Sequence, residues 1–150
     1  MTSQTSVYES TTSYAELANR IKVANHIVVT THRKPDGDAM GSVIGLCRVL
    51  ESIGKSVENL FIGPVEHGLQ LAAGGTDIRV LQEDGLPTEE PDLIIVADTG
   101  AWSQLEALSQ WLREREERVI GLDHHSNGDD VARDRVVDIS AAACTQVVMA

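Results

Sequence analysis

The sequence predicts an α/β fold: three layers, with a mainly parallel sheet covered by helices on both faces. Three observations predict it. Apolar runs of strand length alternate with stretches of helical periodicity along the whole chain. One of them, Leu93-Ile94-Ile95-Val96-Ala97, contains no polar residue, which marks a central strand buried on both sides. Three of the runs pass directly into acids or histidines, at the edge where open α/β sheets hold ligands.

The first dozen residues are polar and rich in Ser and Thr, with no apolar signal-peptide core, and read as a flexible tail over 1–12. Ser13 is placed to cap a helix that carries Tyr14, Leu17 and Ile21 on one face. Asn25 to His32 is the first strand. Pro35 keeps Lys34 out of the helical region, and Gly37 frees the turn that follows. A helix from about Asp38 to Ser52 presents Met40, Val43, Ile44, Cys47 and Leu50 on one face, and Gly54 stops it. Val57 to Ile62 is a second strand, Glu66 to Ala73 a short helix, and Ile78 to Leu81 a third strand ahead of an acidic loop. The central strand spans Asp92 to Asp98. Ser103 and Glu106 then form a capping-box pattern before a helix faced by Leu105, Leu108, Trp111 and Leu112. The charge run 113–118 reads as the solvated end of that helix. Val119 to Leu122 is another buried strand, Val136 to Asp138 a short one. Ser140 is placed to cap an Ala-rich helix, Ala141 to Ala150, which carries no stop signal. Without a C-terminal cap or packed partner in view, that helix is expected to fray and expose Val147, Val148 and Met149.

Composition narrows the function. The chain has 150 residues and a net charge of −11. It will not grip long duplex nucleic acid through a basic surface, and polyanions are repelled at long range. Phosphates can still bind where cations reverse the local field. No apolar run is long enough to span a membrane. Cys47 and Cys144 both fall in apolar helical patterns and read as buried thiols in a reducing cytoplasm rather than as a disulfide.

The chemistry lies at three strand ends: His32 with Asp36 and Asp38, then Asp98, then Asp123-His124-His125. Singly, each has a plain structural reading. An Asp after a strand commonly forms a turn or caps a helix, and His124 and His125 face opposite sides if their strand continues. Together, so many acids at one edge would repel one another unless cations bound there. Carboxylates and imidazoles without thiolate favour Mn²⁺ or Mg²⁺ over a structural zinc. The cluster is rich enough for two ions about 3.5–4 Å apart, the spacing used in phosphoryl chemistry.

These segments also resemble a known family. His32-Arg33-Lys34-Pro35-Asp36-Gly37-Asp38 with Gly41-Ser42 is similar to the first motif of the RecJ-like DHH phosphoesterases. Val96-Ala97-Asp98-Thr99-Gly100 is similar to the second, and Leu122-Asp123-His124-His125 with Asn127 to the third. Val137-Asp138 with Ala141 to Gln146 resembles the segment after it. The long first motif looks most like the branch that degrades very short oligoribonucleotides and dephosphorylates 3′-phosphoadenosine 5′-phosphate. The resemblance implies one Mn²⁺ on His32, Asp36 and Asp98, and a second on Asp38, Asp98 and His124, with Asp98 bridging and Mg²⁺ able to substitute. It implies that His125 reaches the phosphate and that Asp123 orients a histidine. The implied partner is a short oligonucleotide or nucleotide phosphate, and a homodimer is compatible with it. Residues 13–150 would form the catalytic domain. The family's later Asp-Thr-Gly segment and its C-terminal substrate-binding domain are not found in the sequence, so the catalytic domain is expected to be incomplete at its C-terminal end and weakly active. A cyclic-dinucleotide phosphodiesterase, an exopolyphosphatase or pyrophosphatase, and a non-catalytic binding module are the competing readings.

Overall fold

A computed structural model describes residues 7–150. Five strands form one sheet, in the order β2-β1-β3-β4-β5, and every neighbouring pair is parallel. They are β1 (His26–Thr30), β2 (Ser56–Leu60), β3 (Leu93–Ala97), β4 (Val119–Asp123) and β5 (Asp134–Val137). The helices are α1 (Tyr14–Val23), α2 (Gly37–Ser52), α3 (His67–Ala72), α4 (Leu81–Asp84), α5 (Ser109–Arg113) and α6 (Cys144–Met149). Three 3₁₀ turns, Trp102–Gln104, Glu106–Leu108 and Glu116–Arg118, flank α5.

Strand alternation divides the core in two. Ile27, Val29, Leu93, Ile95, Ala97, Ile120 and Leu122 pack under α1, α2 and α6. Val28, Ile94, Val96 and Val119 pack on the other face against Leu105, Leu108, Trp111 and Leu112. The central strands β1, β3 and β4 are buried at every residue, which explains their near-continuous apolar character. The chain passes from β1 outward to β2 and then back across to β3, so the strand order reverses between β1 and β3. His32 and Asp98 follow those two strands and therefore meet at the switch point, where a crevice opens beyond the sheet.

Several expected elements change. The strand expected at Ile78–Leu81 is a single bridge between Phe61 and Val80. The Asn59 amide takes the place of further ladder bonds, donating to the Asp77 carbonyl and accepting from the Arg79 N–H, and α4 begins at Leu81. The capping box at Ser103 and Glu106 does not form. Leu105 and Leu108 fall at the ends of two 3₁₀ turns, only Trp111 and Leu112 lie in α5, and all four are buried.

The last helix is not capped by Ser140, and it has a packed partner. The Ser140 N–H and hydroxyl both donate to Asp138, and α6 starts later, at Cys144. Its cap comes from across the fold. Asp38 accepts the N–H groups of Cys144 at 2.9 Å and Thr145 at 3.1 Å. Gly41 of α2 lets α6 approach, since a β-carbon there would stand 3.2 Å from the Thr145 methyl. Cys144 and Val147 are buried against α2 and β4, Val148 is partly buried, and Met149 is exposed.

The tail expected over 1–12 lies outside the described residues for 1–6, and from Tyr8 onward it is not a tail. The Thr11 N–H donates to the Arg135 carbonyl, the Arg135 N–H returns a bond to the Thr11 hydroxyl, and the Ser10 hydroxyl bridges the Val137 N–H and carbonyl. Ser and Thr hydroxyls here pair the open edge of β5, which would otherwise present unpaired backbone groups. Among the described residues, no helix is long and apolar enough to cross a membrane.

Candidate metal centre

Asp98 is the centre of the site. It follows β3 with φ +64, a left-handed conformation uncommon for a residue with a side chain, and its N–H is tied to the Leu122 carbonyl. The turn carries the carboxylate into the crevice at 2% exposure, and among the described residues the buried Oδ1 has no hydrogen-bond partner.

Two imidazoles approach it from opposite sides. His32 Nε2 lies 3.4 Å from Asp98 Oδ2, and His124 Nε2 lies 3.2 Å from Asp98 Oδ1. His32 Nδ1 lies 2.8 Å from the Arg33 carbonyl. A carbonyl only accepts, so Nδ1 carries the proton and Nε2 turns a lone pair toward Asp98. A lone pair and a carboxylate oxygen facing each other need a positive charge between them. A proton or a cation can supply it: the hydrogen bond to Asp98 holds the His32 imidazole above its ordinary value, with burial opposing. Burial pushes the Asp98 carboxyl up, and the nearby Asp38 charge adds to the shift.

Donor atoms of His32, Asp36 and Asp98 lie within 4.8 Å of one another, and so do those of Asp98, Asp123, His124 and His125. The two groups share Asp98. Asp36 also caps α2, its Oδ1 accepting the Ala39 N–H at 2.9 Å, which leaves the other oxygen for the crevice. Asp38 joins through His124, whose Nε2 is 3.4 Å from Asp38 Oδ2. Burial would raise the Asp38 carboxyl, but the two α6 N–H groups outweigh it and hold it below the usual range.

β4 ends at Asp123, so His124 and His125 do not alternate across a sheet. The chain turns, and the two rings stand 4.4 Å apart at the same edge. Asp123, 1% exposed, accepts His125 Nδ1 at 2.7 Å and the His124 N–H at 2.8 Å on Oδ1, and the Tyr8 hydroxyl at 2.7 Å on Oδ2. A cavity of about 430 Å³ opens over the centre, with Gln104, Ser126 and Asn127 on its walls beside His32, Asp36 and Asp98. No thiolate faces it, and the donor set suits a hard divalent cation.

The model of the DHH family, N-terminal domain, matches residues 26–150. The chain belongs to the DHH family. Among curated relatives of this DHH domain is the bifunctional oligoribonuclease and PAP phosphatase NrnA of Mycoplasma genitalium, 28% identical over 138 residues, covering 91% of this chain and 42% of the relative. The enzyme of the same name from Thermus thermophilus is 29% identical over 141 residues, covering 84% of this chain and 36% of the relative. The chain thus spans about two fifths of the length of these relatives. An exopolyphosphatase-related protein from Bacteroides fragilis superposes with a TM-score of 0.80 at 26% identity, over 89% of this chain and 41% of that one. Exonuclease RecJ bound to manganese shares the fold more loosely, with a TM-score of 0.52 at 20% identity over 89% of this chain and 34% of that one.

All seven site residues expected from the sequence, His32, Asp36, Asp38, Asp98, Asp123, His124 and His125, converge on this one edge of the DHH sheet. Sequence reasoning missed Tyr8 and Gln104. Tyr8 stands alone in a Ser/Thr-rich stretch outside the matched residues, where no local pattern marks it. Gln104 has only a structural signal: its carbonyl accepts the Arg33 N–H and so brings the 3₁₀ turn to the cavity wall.

Proposed function

We propose that this DHH domain hydrolyses phosphoesters of small nucleotides, namely short oligoribonucleotides or 3′-phosphoadenosine 5′-phosphate, using two divalent cations, Mn²⁺ foremost. The observation that carries the reading is Asp98, buried, with one unpartnered oxygen and an imidazole nitrogen opposite each side of its carboxylate. His32, Asp36 and Asp98 would hold one ion. Asp38, Asp98 and His124 would hold the other, with Asp98 common to both. Held there, divalent cations would supply Lewis acidity to the phosphoryl group and to an attacking water. The protein's own share is to keep the ligands fixed: the Arg33 carbonyl sets the His32 ring, the α6 N–H groups hold Asp38, and Asp123 holds His125. With Nδ1 bonded to Asp123, His125 turns Nε2 toward the cavity, placed to donate to a phosphate oxygen or a departing alkoxide.

The oligoribonuclease and PAP phosphatase activities for which the relatives are named support this substrate class. Net charge −11 also favours a short, compact phosphate over a long nucleic acid. Two free buried thiols support a reducing, cytoplasmic setting. A polyphosphate substrate is the second reading, favoured by the exopolyphosphatase-related neighbour. The test is a turnover panel in saturating Mn²⁺ with a diribonucleotide, 3′-phosphoadenosine 5′-phosphate, a cyclic dinucleotide and polyphosphate, with Asp98→Asn as the control. Turnover of either of the first two, lost in Asp98→Asn, is the expected result. Turnover of polyphosphate alone would replace this reading with the second.

A further inference from the structure

Tyr8 is buried, yet it belongs to a segment with no helix or strand of its own. Its ring rests where two glycines leave room: a β-carbon at Gly100 or at Gly128 would collide with it. Gly100 closes the Asp98 turn, and Gly128 closes the loop after His125. The Arg135 guanidinium lies 5.0 Å from the ring centroid and donates to the Glu9 carbonyl beside it. The ring is therefore gripped on several sides, and the hydroxyl ends 2.7 Å from Asp123 Oδ2.

We propose that Tyr8 is a positioning residue, whose hydroxyl acts through Asp123 to fix the ring orientation and tautomer of His125. This rests on the proposed phosphoester chemistry for its consequence, though not for its geometry. Asp123 is enclosed and, among the described residues, no Lys or Arg side chain bonds to it; its donors are the Tyr8 hydroxyl, the His124 and His125 backbone N–H groups and His125 Nδ1. Tyr8 takes Oδ2, and the His124 N–H takes part of Oδ1. What remains on Oδ1 accepts from His125 Nδ1, which must then carry a ring proton and turns Nε2 toward the cavity. Remove the hydroxyl, and Asp123 keeps a buried oxygen without a donor. The carboxylate can then rotate to share both oxygens with its own turn, and the His125 ring loses its fixed partner.

The test compares Tyr8→Phe with Ser10→Ala. The first keeps the ring and removes only the hydroxyl. The second loosens the same strap at Val137 but leaves Tyr8 intact. ¹⁵N spectra of the imidazole nitrogens are recorded in Mg²⁺, which is diamagnetic, and kcat and KM are measured in Mn²⁺ on a diribonucleotide. In Tyr8→Phe we expect the His125 signals to leave the Nδ1–H pattern and kcat to fall roughly 10–10²-fold at unchanged KM, the range typical of partners behind a site. In Ser10→Ala both should match the wild type, even where Tm drops. A wild-type His125 pattern in Tyr8→Phe overturns the proposal. So does an equal loss of kcat in the two variants, which would make the strap merely structural. If the wild type turns over no substrate at all, the functional reading fails while the imidazole spectra still decide the role of Tyr8.

Discussion

At the scale of single residues, neighbouring side chains of the same type make different contacts. His124 and His125 are adjacent, but one faces Asp98 and Asp38 while the other is bonded to Asp123. His124→Ala should lose metal, measured by calorimetric titration. His125→Ala should keep metal and lose rate by about 10²–10⁴-fold, as for a group that transfers a proton or stabilises charge in the transition state. Equal metal loss in both variants would show that the rings share one role. The contacts of the two rings could not be read from strand alternation, because β4 stops at Asp123 and the turn, not the pleat, aims them. What could be read directly was the convergence. His32 and Asp98 had to meet once their strands were adjacent, since each follows an apolar run in a parallel sheet.

At the scale of elements, α6 shows where local reading stops. Ser140 had the right chemistry for a cap and lost it to Asp138, two residues away, a local competition of the kind short polar side chains often win. The working cap, Asp38, is 106 residues from Cys144 and could not be seen in any window. Asp38→Ala should cost about 1–2 kcal/mol, as for other lost caps. Hydrogen exchange should show the Cys144 and Thr145 amides opening in Asp38→Ala and staying protected in Ser140→Ala. The reverse pattern would contradict this assignment. Likewise, the turns after β3 followed a spacing of three that a helical-wheel reading of Leu105, Leu108 and Trp111 treats as compatible with an α-helix. On the same face as α6, burial pushes the Cys47 and Cys144 thiols up to about 12. Neither should react with a thiol reagent at pH 8 until the protein unfolds. Stoichiometric labelling of the native protein would show that this face of the core is open.

At the scale of the whole molecule, the acidic edge couples stability to pH and to cations. The hydrogen bond to Asp98 raises the His32 value, and burial raises that of Asp98. A group that binds its proton more tightly when folded stabilises the fold fully below its unfolded pKa and loses that contribution as pH rises through the folded one. For His32 that loss begins above the ordinary value of 6.5. Asp38, held below its ordinary 3.8, acts in the opposite sense and only in acid. Without metal, these groups should therefore make the protein less stable at pH 8 than at pH 6. Cations compete with the same protons, so the Mn²⁺-induced rise in Tm should be larger at pH 8. An equal rise at both pH values would separate the bound ion from His32 and Asp98.

Whether one buried carboxylate serves two ions is decided by Mn²⁺ titration calorimetry of the wild type and Asp98→Asn. Two ions should bind the wild type, both should be weakened in Asp98→Asn, and the metal-free variant should be as stable as the wild type or more so because a crowded charge is gone. A single ion in the wild type, or two ions that bind Asp98→Asn unchanged, would contradict it.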